Sequence, residues 1–270
     1  MEFKDRVAFI TGGAGGIGEE IGRLFLEKGC KIFEQTWENT VTKKLQNDFG
    51  KSNVLFVKCD ITNDKEFEDA YNTCEKELGK ITILCNNAGV FAKDYRTSMD
   101  INFVSKLGIS KQEKNVQGAI VTGTDLALKR MGKHNGGEGG FIVNTASMLG
   151  AVRAPFTPMY SATKAAVIHY TRCMGHEFNY DYSGVHMHSV CPTAVDTPLT
   201  TLEGSKKGSL NEYTDKLLDE INDNAPRLKP REVAEAIVQV LEDHKPGAAL
   251  VVDAGVKPYY MAPSLLTEYS

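Results

Sequence analysis

A short apolar run, Val7-Ala8-Phe9-Ile10, leads directly into Thr11-Gly12-Gly13-Ala14-Gly15-Gly16-Ile17-Gly18. A helical apolar pattern follows at Ile21, Leu24 and Phe25. Strand, glycine-rich turn and helix, in that order, form the setting in which such a turn binds a dinucleotide, because glycine lets the backbone approach a pyrophosphate and the helix N-terminus attracts its charge. Both G-x-G-x-x-G and T-G-x-x-x-G-x-G fit this stretch, and a plain glycine-rich turn is the alternative.

Strand and helix patterns continue to alternate along the chain. Short β-favouring runs predict further strands at residues 31–36, 54–58, 81–85, 141–144, 185–190 and 248–252. The first four strand–helix units in succession predict a parallel sheet with right-handed crossovers. With no repeat or linker, we expect one α/β domain over residues 1–270, a Rossmann-type doubly wound sheet of about seven parallel strands.

Composition and charge exclude several function classes. The chain is 41% hydrophobic and 24% charged, as is usual for a globular protein. Its 31 basic and 35 acidic residues give a net charge of -4, which offers no footprint for nucleic acid or an anionic membrane. We therefore expect a small-molecule substrate and no nucleic-acid partner.

The cysteines and the N-terminus predict an intracellular setting. Six cysteines are dispersed without C-x-x-C spacing, which indicates reduced core residues. The N-terminus has neither a basic region nor an apolar signal segment, and no apolar run is long enough to cross a bilayer. These features predict a cytoplasmic protein without membrane insertion.

The segment 144–164 carries the candidate chemistry. Tyr160 and Lys164 lie four residues apart, on one face of a helix for which Thr157 is the predicted N-cap and Pro158 the first residue. A nearby ammonium favours the ionised form of a phenol, so Lys164 would lower the pKa of Tyr160. Ser147 follows a predicted strand, at the end where open α/β sheets bind ligands. In isolation, the pair also fits a core tyrosine beside a solvated lysine.

The polar residues after the other strands predict cofactor contacts. An NAD-binding sheet usually ends its second strand in a carboxylate, but this position holds Thr36, with Glu34 too early and Glu38 beyond Trp37. No arginine or lysine at position 15 or 37 favours an NADP phosphate, so NAD is expected and NADP is not excluded. Asp60 either accepts a hydrogen bond from adenine or caps the next turn.

Two irregular segments and a histidine pair complete the pattern. Residues 91–114 predict an irregular insert or lid, and residues 198–226 a helical flap over a substrate pocket. His186 and His188 share one face of a strand, yet no third ligand has suitable spacing, so no metal site is expected.

In this order, the motifs resemble those of the short-chain dehydrogenase/reductase family over nearly the whole chain. The likeness rests on residues 11–18, Asp60, Asn86-Asn87-Ala88-Gly89, Asn115, Ser147, Tyr160 with Lys164, and residues 192–197. The run Asn135-Gly136-Gly137-Glu138-Gly139-Gly140 is similar to the subgroup of 15-hydroxyprostaglandin dehydrogenases and insect alcohol and retinol dehydrogenases.

The resemblance implies a mechanism and a set of contacts. Tyr160 would exchange the proton of the substrate hydroxyl while hydride moves to or from the nicotinamide, with Ser147 orienting the oxygen. Lys164 would lower the tyrosine pKa and bind the nicotinamide ribose. Asn115 would hold a relay water, with Asn102 as its rival. Cofactor contacts are implied for Gly12, Gly16, Ile17, Gly18, Thr36, Asp60, Ile61, Asn87, Ala88, Gly89, Tyr160, Lys164, Pro192, Thr193, Val195 and Thr197.

These inferences predict an oxidoreductase that transfers hydride between NAD(H) and a hydrophobic secondary or allylic alcohol or ketone, of prostaglandin-, steroid-, retinoid- or terpenoid-like type. A homodimer or homotetramer is implied by the resemblance. The alternatives are an NADPH-dependent carbonyl reductase and a regulatory protein that binds a dinucleotide without turnover, which a fold alone never excludes.

Overall fold

The computed structural model of the chain describes residues 1–35, 40–103, 119–222 and 225–262. Within them, the strands are β1 Val7–Thr11, β2 Lys31–Gln35, β3 Val54–Val57, β4 Ile81–Asn86, β5 Gly140–Thr145, β6 Val185–Pro192, β7 Ala249–Val252 and β8 Tyr259–Tyr260. The helices are α1 Gly16–Glu27, α2 Thr40–Phe49, α3 Asp64–Leu78, α4 Tyr95–Asn102, α5 Ala119–Met131, α6 Pro158–Met174, α7 Glu177–Ser183, α8 Leu202–Lys206, α9 Glu212–Asn222 and α10 Pro230–Asp243.

The strands form one sheet in the order β3-β2-β1-β4-β5-β6-β7-β8. All pairings from β3 to β7 are parallel, and the two-residue β8 runs antiparallel to β7. The predicted doubly wound sheet of about seven parallel strands is confirmed, with β8 as an addition. Strand order reverses between β1 and β4, and ligands bind beyond the carboxyl ends of strands at such a reversal.

Apolar side chains from both faces of the sheet form the core. On one face, Ile10 and Ile32 of the sheet pack with Phe25 of α1 and Ile237 of α10. On the other face, Phe9 packs with residues of α3 and α5, and Val167 and Ile168 of α6 extend this layer. Helices therefore cover both faces, as a parallel sheet with near-continuous apolar strands requires.

The structure describes the first part of the segment predicted as an irregular insert. The irregular insert expected from residue 91 contains a helix, α4, whose N-cap Asp94 accepts a hydrogen bond from the Thr97 amide at 3.0 Å. Its buried side is polar, with Ser98 and Asn102 both fully buried, so it lacks the apolar periodicity that marks a helix in sequence. Residues 104–114 of the expected insert lie outside the described residues.

Two local predictions for the later helices have different outcomes. Pro158 is the first residue of α6 as predicted, but the Thr157 side chain at the N-cap makes no capping hydrogen bond and is fully buried. The flap expected at 198–226 is helical, because it consists of a 3₁₀ turn at Pro198–Thr200 followed by α8 and α9.

Candidate active site

The glycine turn between β1 and α1 has a conformation that depends on glycine. Gly12 has φ of +67° and Gly16 of +35°, in the left-handed region that side chains disfavour. A Cβ on Gly18 would lie 2.1 Å from the Gly12 carbonyl oxygen, whereas one on Gly15 meets no atom within 4 Å. Gly18 therefore allows α1 to pack closely against the glycine turn, and Gly15 leaves open space at the N-terminus of α1.

A cavity of about 430 Å³ lies above this turn. Its walls come from the glycine turn, the ends of β2, β3 and β4, and the loop after β6, and they include Gly12, Gly15, Gly16, Ile17, Gln35, Asp60, Ile61, Asn87, Ala88, Gly89 and Thr197. Gly15 is the N-cap of α1 and has no side chain to bond the first-turn amides, which a helix leaves without intrahelical partners. The cavity thus combines free helix N-terminal amides, which suit an anion, with walls from the ends of three strands, and this combination fits a dinucleotide.

Thr11 and Asn87 join the strand ends that form this cleft. The Thr11 hydroxyl accepts the amides of Asn87 and Ala88 at 2.9 and 3.1 Å. Asn87 donates its side-chain amide to the Thr11 and Gly12 carbonyls, and its oxygen accepts the Thr145 hydroxyl at 3.3 Å. Asn87 therefore fixes the glycine turn relative to the end of β5.

The cleft wall at β2 and β3 includes one polar residue, Gln35, that the sequence analysis does not predict. Asp60 accepts the Thr62 amide at 2.9 Å, so it caps its own turn while it also lines the cavity. Gln35 accepts the Gly12 amide at 3.3 Å and donates to the Cys59 carbonyl, a role that sequence reasoning missed although a polar residue ending a buried strand is a signal. Thr36 and Glu38 lie outside the described residues. Glu34 lies within β2 and accepts the Thr42 hydroxyl at 2.8 Å, away from the cavity lining.

Ser147, Tyr160 and Lys164 come together beside the cleft. The first residue follows β5, while the other two lie on one face of α6, and each is at most 7% exposed. The Lys164 Nζ lies 5.6 Å from the centroid of the Tyr160 ring and donates to the Thr145 carbonyl at 2.6 Å. Ser147 accepts the Leu149 amide at 3.1 Å and faces the Tyr160 hydroxyl.

Burial dominates the ionisation of this group. Desolvation raises the pKa of Tyr160 to about 12, against the smaller lowering effect of the Ser147 hydroxyl. Desolvation also lowers the pKa of Lys164 to about 8. Burial therefore raises the pKa of Tyr160 above its ordinary value of 10, and the lowering by Lys164 that the sequence leads us to expect stays a prediction.

A second cavity, of about 350 Å³, begins at these three side chains. Its other walls are mainly apolar and come from the loops after β4 and β5 and from the flap. They include Phe91, Met148, Leu149, Val152, Phe156, Leu199, Leu218 and Ile221. It shares Ile17, Asn87, Gly89, Thr197 and Leu199 with the first cavity. The two cavities therefore adjoin at these shared residues, and Tyr160 lines the second of them.

The loop after β6 closes the junction. Pro192, Thr193 and Val195 line the second cavity rather than the dinucleotide cleft, and Thr197 lines both. The Thr193 amide donates to the Val252 carbonyl at 2.9 Å, and a Cβ on Gly16 would lie 2.4 Å from Thr197 Cγ2. The loop thus folds back onto the glycine turn.

Asn102 lies at the site, whereas Asn115 lies outside the described residues. Asn102 is fully buried and bonds both the amide and the carbonyl of Val90, at 2.8 and 2.9 Å. It also donates to the Thr163 hydroxyl at 3.3 Å. A Cβ on Gly89 would lie 3.3 Å from the Asn102 oxygen and 3.5 Å from Lys164 Nζ, so the asparagine and the lysine flank Gly89.

The remaining expectations concern metals, thiols and membranes. Within the described residues, no group of three or more His, Cys, Asp or Glu is arranged to hold a metal, and His186 and His188 stack with centroids 6.1 Å apart. All six cysteines are free, but Cys173 is exposed and is therefore not a core residue.

No helix in the described parts of the chain has the length and apolar character needed to cross a membrane.

The known proteins with similar sequences are dehydrogenases. The family described as short chain dehydrogenase matches residues 6–208. The 15-hydroxyprostaglandin dehydrogenase [NAD(+)] of Mus musculus is 32% identical over 93% of this chain and 90% of its own length, and that of Homo sapiens is 32% identical over 93% and 91%. Alcohol dehydrogenase 2 of Ceratitis cosyra is 30% identical over 94% of both chains.

Solved structures share the fold. The 3-ketoacyl-(acyl-carrier-protein) reductase of Brucella melitensis, complexed with NADH, superposes with a TM-score of 0.68 at 24% identity, over 94% of this chain and 98% of that one. A short-chain dehydrogenase-like protein from Novosphingobium aromaticivorans gives a TM-score of 0.69 at 22% identity, over 93% of this chain and 81% of that one.

Proposed function

The chain belongs to the short-chain dehydrogenase family, and on that basis we propose that it interconverts a hydrophobic secondary or allylic alcohol and its carbonyl product with NAD(H). The observation that carries the proposal is the convergence of Ser147, Tyr160 and Lys164 on an apolar cavity that shares a wall with the dinucleotide cleft. Bound NAD⁺ accepts a hydride, and NADH donates one.

The chain's own residues would handle the proton. Tyr160 exchanges the proton of the substrate hydroxyl, and Ser147 orients the substrate oxygen toward it. To act as a base near neutral pH, the phenol needs positive charge nearby, and Lys164 in its cationic form supplies one. The apolar walls of the second cavity exclude water and favour a hydrophobic substrate.

The test is the change in absorbance at 340 nm with NAD and a panel of secondary and allylic alcohols and ketones. We expect Tyr160→Phe to lower kcat by about 10²–10⁴-fold, the usual value of a positioned acid–base group, with little change in NAD affinity. Tyr170→Phe, the same substitution on the same helix, is the matched control and should keep most activity. NAD binding without turnover of any compound would instead favour the non-catalytic regulatory protein.

NAD rather than NADP is the proposed cofactor. The printed names of the similar dehydrogenases include NAD(+), and neither Gly15 nor Trp37 offers a cation to a 2′-phosphate. We expect kcat/KM for NAD to exceed that for NADP. The reverse ratio would favour the NADPH-dependent carbonyl reductase.

Asn102, rather than Asn115, is the proposed positioning residue behind the lysine. Its support is the contact network around Gly89, next to Lys164. Asn102→Ala should lower kcat by at least about tenfold, a typical loss for a displaced supporting group, and Asn115→Ala should not. The opposite result would restore Asn115 to this role.

A homo-oligomer is the proposed assembly. The outward side of α6 carries the small apolar residues Ala162 and Ala165, both exposed, in place of charges. A second copy packing there would bury them. Light scattering should give a dimer or tetramer mass, and Ala165→Glu should shift it toward the monomer.

A further inference from the structure

Phe91, two residues beyond Gly89, contacts the ring of Tyr160. Its ring centroid lies 4.1 Å from that of Tyr160, with 36° between the planes, and it lines the apolar cavity. Aromatic pairs at this separation are in direct contact. Phe91 is therefore the wall that a substrate meets next to the phenol.

The backbone on both sides of Phe91 is pinned. Val90 is held through both its amide and its carbonyl by Asn102, and the Ala92 carbonyl accepts the Ser98 hydroxyl at 2.9 Å. Asn102 and Ser98 are both fully buried residues of α4. This helix thus fixes the direction in which the Phe91 ring can point.

The flap contacts the other side of Phe91. A Cβ on Gly208, between α8 and α9, would lie 3.0 Å from Phe91 Cδ1 and 3.1 Å from its Cβ. The flap is tied to the same region through the Leu210 amide, which donates to the Phe156 carbonyl at 3.3 Å. Phe91 is held between the flap and the tyrosine.

We propose that Phe91 is a positioning and specificity residue of this site: clamped between Gly208 and the Tyr160 ring, it excludes water from the phenol and limits the bulk a substrate can carry beside its reacting carbon. The proposal rests on the proposed dehydrogenase function for its specificity component. Its water-excluding component depends on the structure alone.

The specificity test compares an unbranched secondary alcohol with its analogue that has a methyl branch next to the carbinol carbon. Phe91→Ala should raise the ratio of kcat/KM for the branched over the unbranched alcohol by roughly tenfold, the lower range for one methyl group in an apolar pocket. Phe91→Leu should give an intermediate ratio. Gly208→Ala, which pushes the ring toward Tyr160, should lower the ratio. Equal ratios in all four proteins would overturn the proposal.

The test of water exclusion measures how the ionisation of the Tyr160 phenol changes when the Phe91 ring is removed. Without the Phe91 ring, water reaches the phenol and the pKa of Tyr160 falls, so the acidic limb of the oxidation pH profile should move down by about one unit in Phe91→Ala. The other charged side chains that line this cavity in the described structure are Lys164 on the same helix and Arg227 after the flap, and Cys191 at the end of β6 interacts with Lys164; no variant alters them. An unmoved limb would contradict this component.

A readout without turnover separates the two proposals. Tetranitromethane nitrates phenolates, so nitration of Tyr160 at pH 8, followed by peptide mass spectrometry, should be roughly tenfold faster in Phe91→Ala, as one pKa unit gives tenfold more phenolate. Tyr213, which is 85% exposed, is the internal reference and should not change. If the wild-type enzyme oxidises no alcohol, the proposed function is wrong. If Tyr160 is nitrated at the same rate in the wild type and in Phe91→Ala, the proposed water exclusion by Phe91 is wrong.

Discussion

Glu34 is a carboxyl group within a buried strand. It is fully buried, its Oε2 accepts the Thr42 hydroxyl, and its chain packs against Gly13 and Gly22 beside the glycine turn. Desolvation raises the pKa of Glu34 to about 7, and Glu19 on α1 acts in the same direction. A raised carboxyl pKa means that the native state holds its proton more tightly than the unfolded chain, so stability is lost as pH rises from about 4.5 through 7.

Glu34→Gln should therefore stabilise the protein at alkaline pH. The amide oxygen can still accept from Thr42, while the buried charge is removed. Urea unfolding at pH 8 should show a gain of up to about 3 kcal/mol, and at pH 5 a gain below about 1 kcal/mol. Glu68→Gln, at an exposed carboxylate on α3, is the control and should change neither value by more than about 0.5 kcal/mol. An equal gain at both pH values would show that Glu34 does not titrate in this range.

At the scale of single residues, the sequence predicts only part of the site. Tyr160, Lys164 and Ser147 are predictable because a helix face and a strand end are local features. Gln35 has the weak signal of a polar residue that ends a buried strand, but its contacts and those of Phe91 come from neighbours distant in sequence, Cys59 for the first and Gly208 for the second. The Tyr160 pKa also depends on burial, which spacing does not reveal.

Among the elements, the glycine turn with α1 offers a matched pair of variants. A methyl group on Gly18 would collide with the Gly12 carbonyl, whereas one on Gly15 enters the open cleft. Gly18→Ala should lower the free energy of unfolding by about 1–3 kcal/mol, as overpacking does, and weaken NAD binding. Gly15→Ala should leave stability within about 0.5 kcal/mol and alter only NAD binding. Differential scanning fluorimetry and NAD titration test both, and equal losses of stability would refute this division of roles.

The sequence predicts a helix or strand well where its own residues carry the pattern, and poorly where the element depends on contacts with distant parts of the chain. The seven parallel strands are short apolar runs that end at polar or glycine residues, so their positions follow from the sequence. Helix α4 does not, because it docks through polar contacts such as Asn102 with Thr163. Thr157 satisfies the spacing of an N-cap without making the bond, since its side chain faces the interior.

For the whole molecule, two buried titratable side chains, Glu34 in β2 and His188 in β6, give the free energy of unfolding opposite dependences on pH. His188 in β6 is fully buried, and desolvation, with a smaller contribution from His186, lowers the pKa of His188 to about 4. A histidine pKa below its unfolded value of about 6.5 means stability that is present at neutral pH and lost as pH falls toward 4. Glu34 loses stability as pH rises over nearly the same range, so the two contributions largely offset each other and their sum has a shallow maximum near about pH 5.5.

His188→Gln should flatten the acidic side of that curve. Between pH 8 and pH 5, the wild-type histidine should account for about 2 kcal/mol of lost stability, and the variant should lack this loss. His169→Gln, at an exposed position on α6, is the control and should retain the wild-type slope. Chemical unfolding at a series of pH values measures both, and an unchanged slope in His188→Gln would assign the acid sensitivity to other groups.

The two-residue strand β8 has a consequence for solubility. Tyr259 and Tyr260 pair with β7, the Met261 amide donates to the Ala249 carbonyl at 2.8 Å, and the Tyr260 hydroxyl bonds Asp243 at 2.5 Å. A bare edge of an apolar strand invites the same strand of a neighbouring molecule to extend the sheet. If β8 were absent, the unpaired edge of β7 would be free to pair with another molecule. Deletion of residues 257–262 should therefore make the protein aggregate on warming, measured as turbidity at temperatures where the intact protein stays clear.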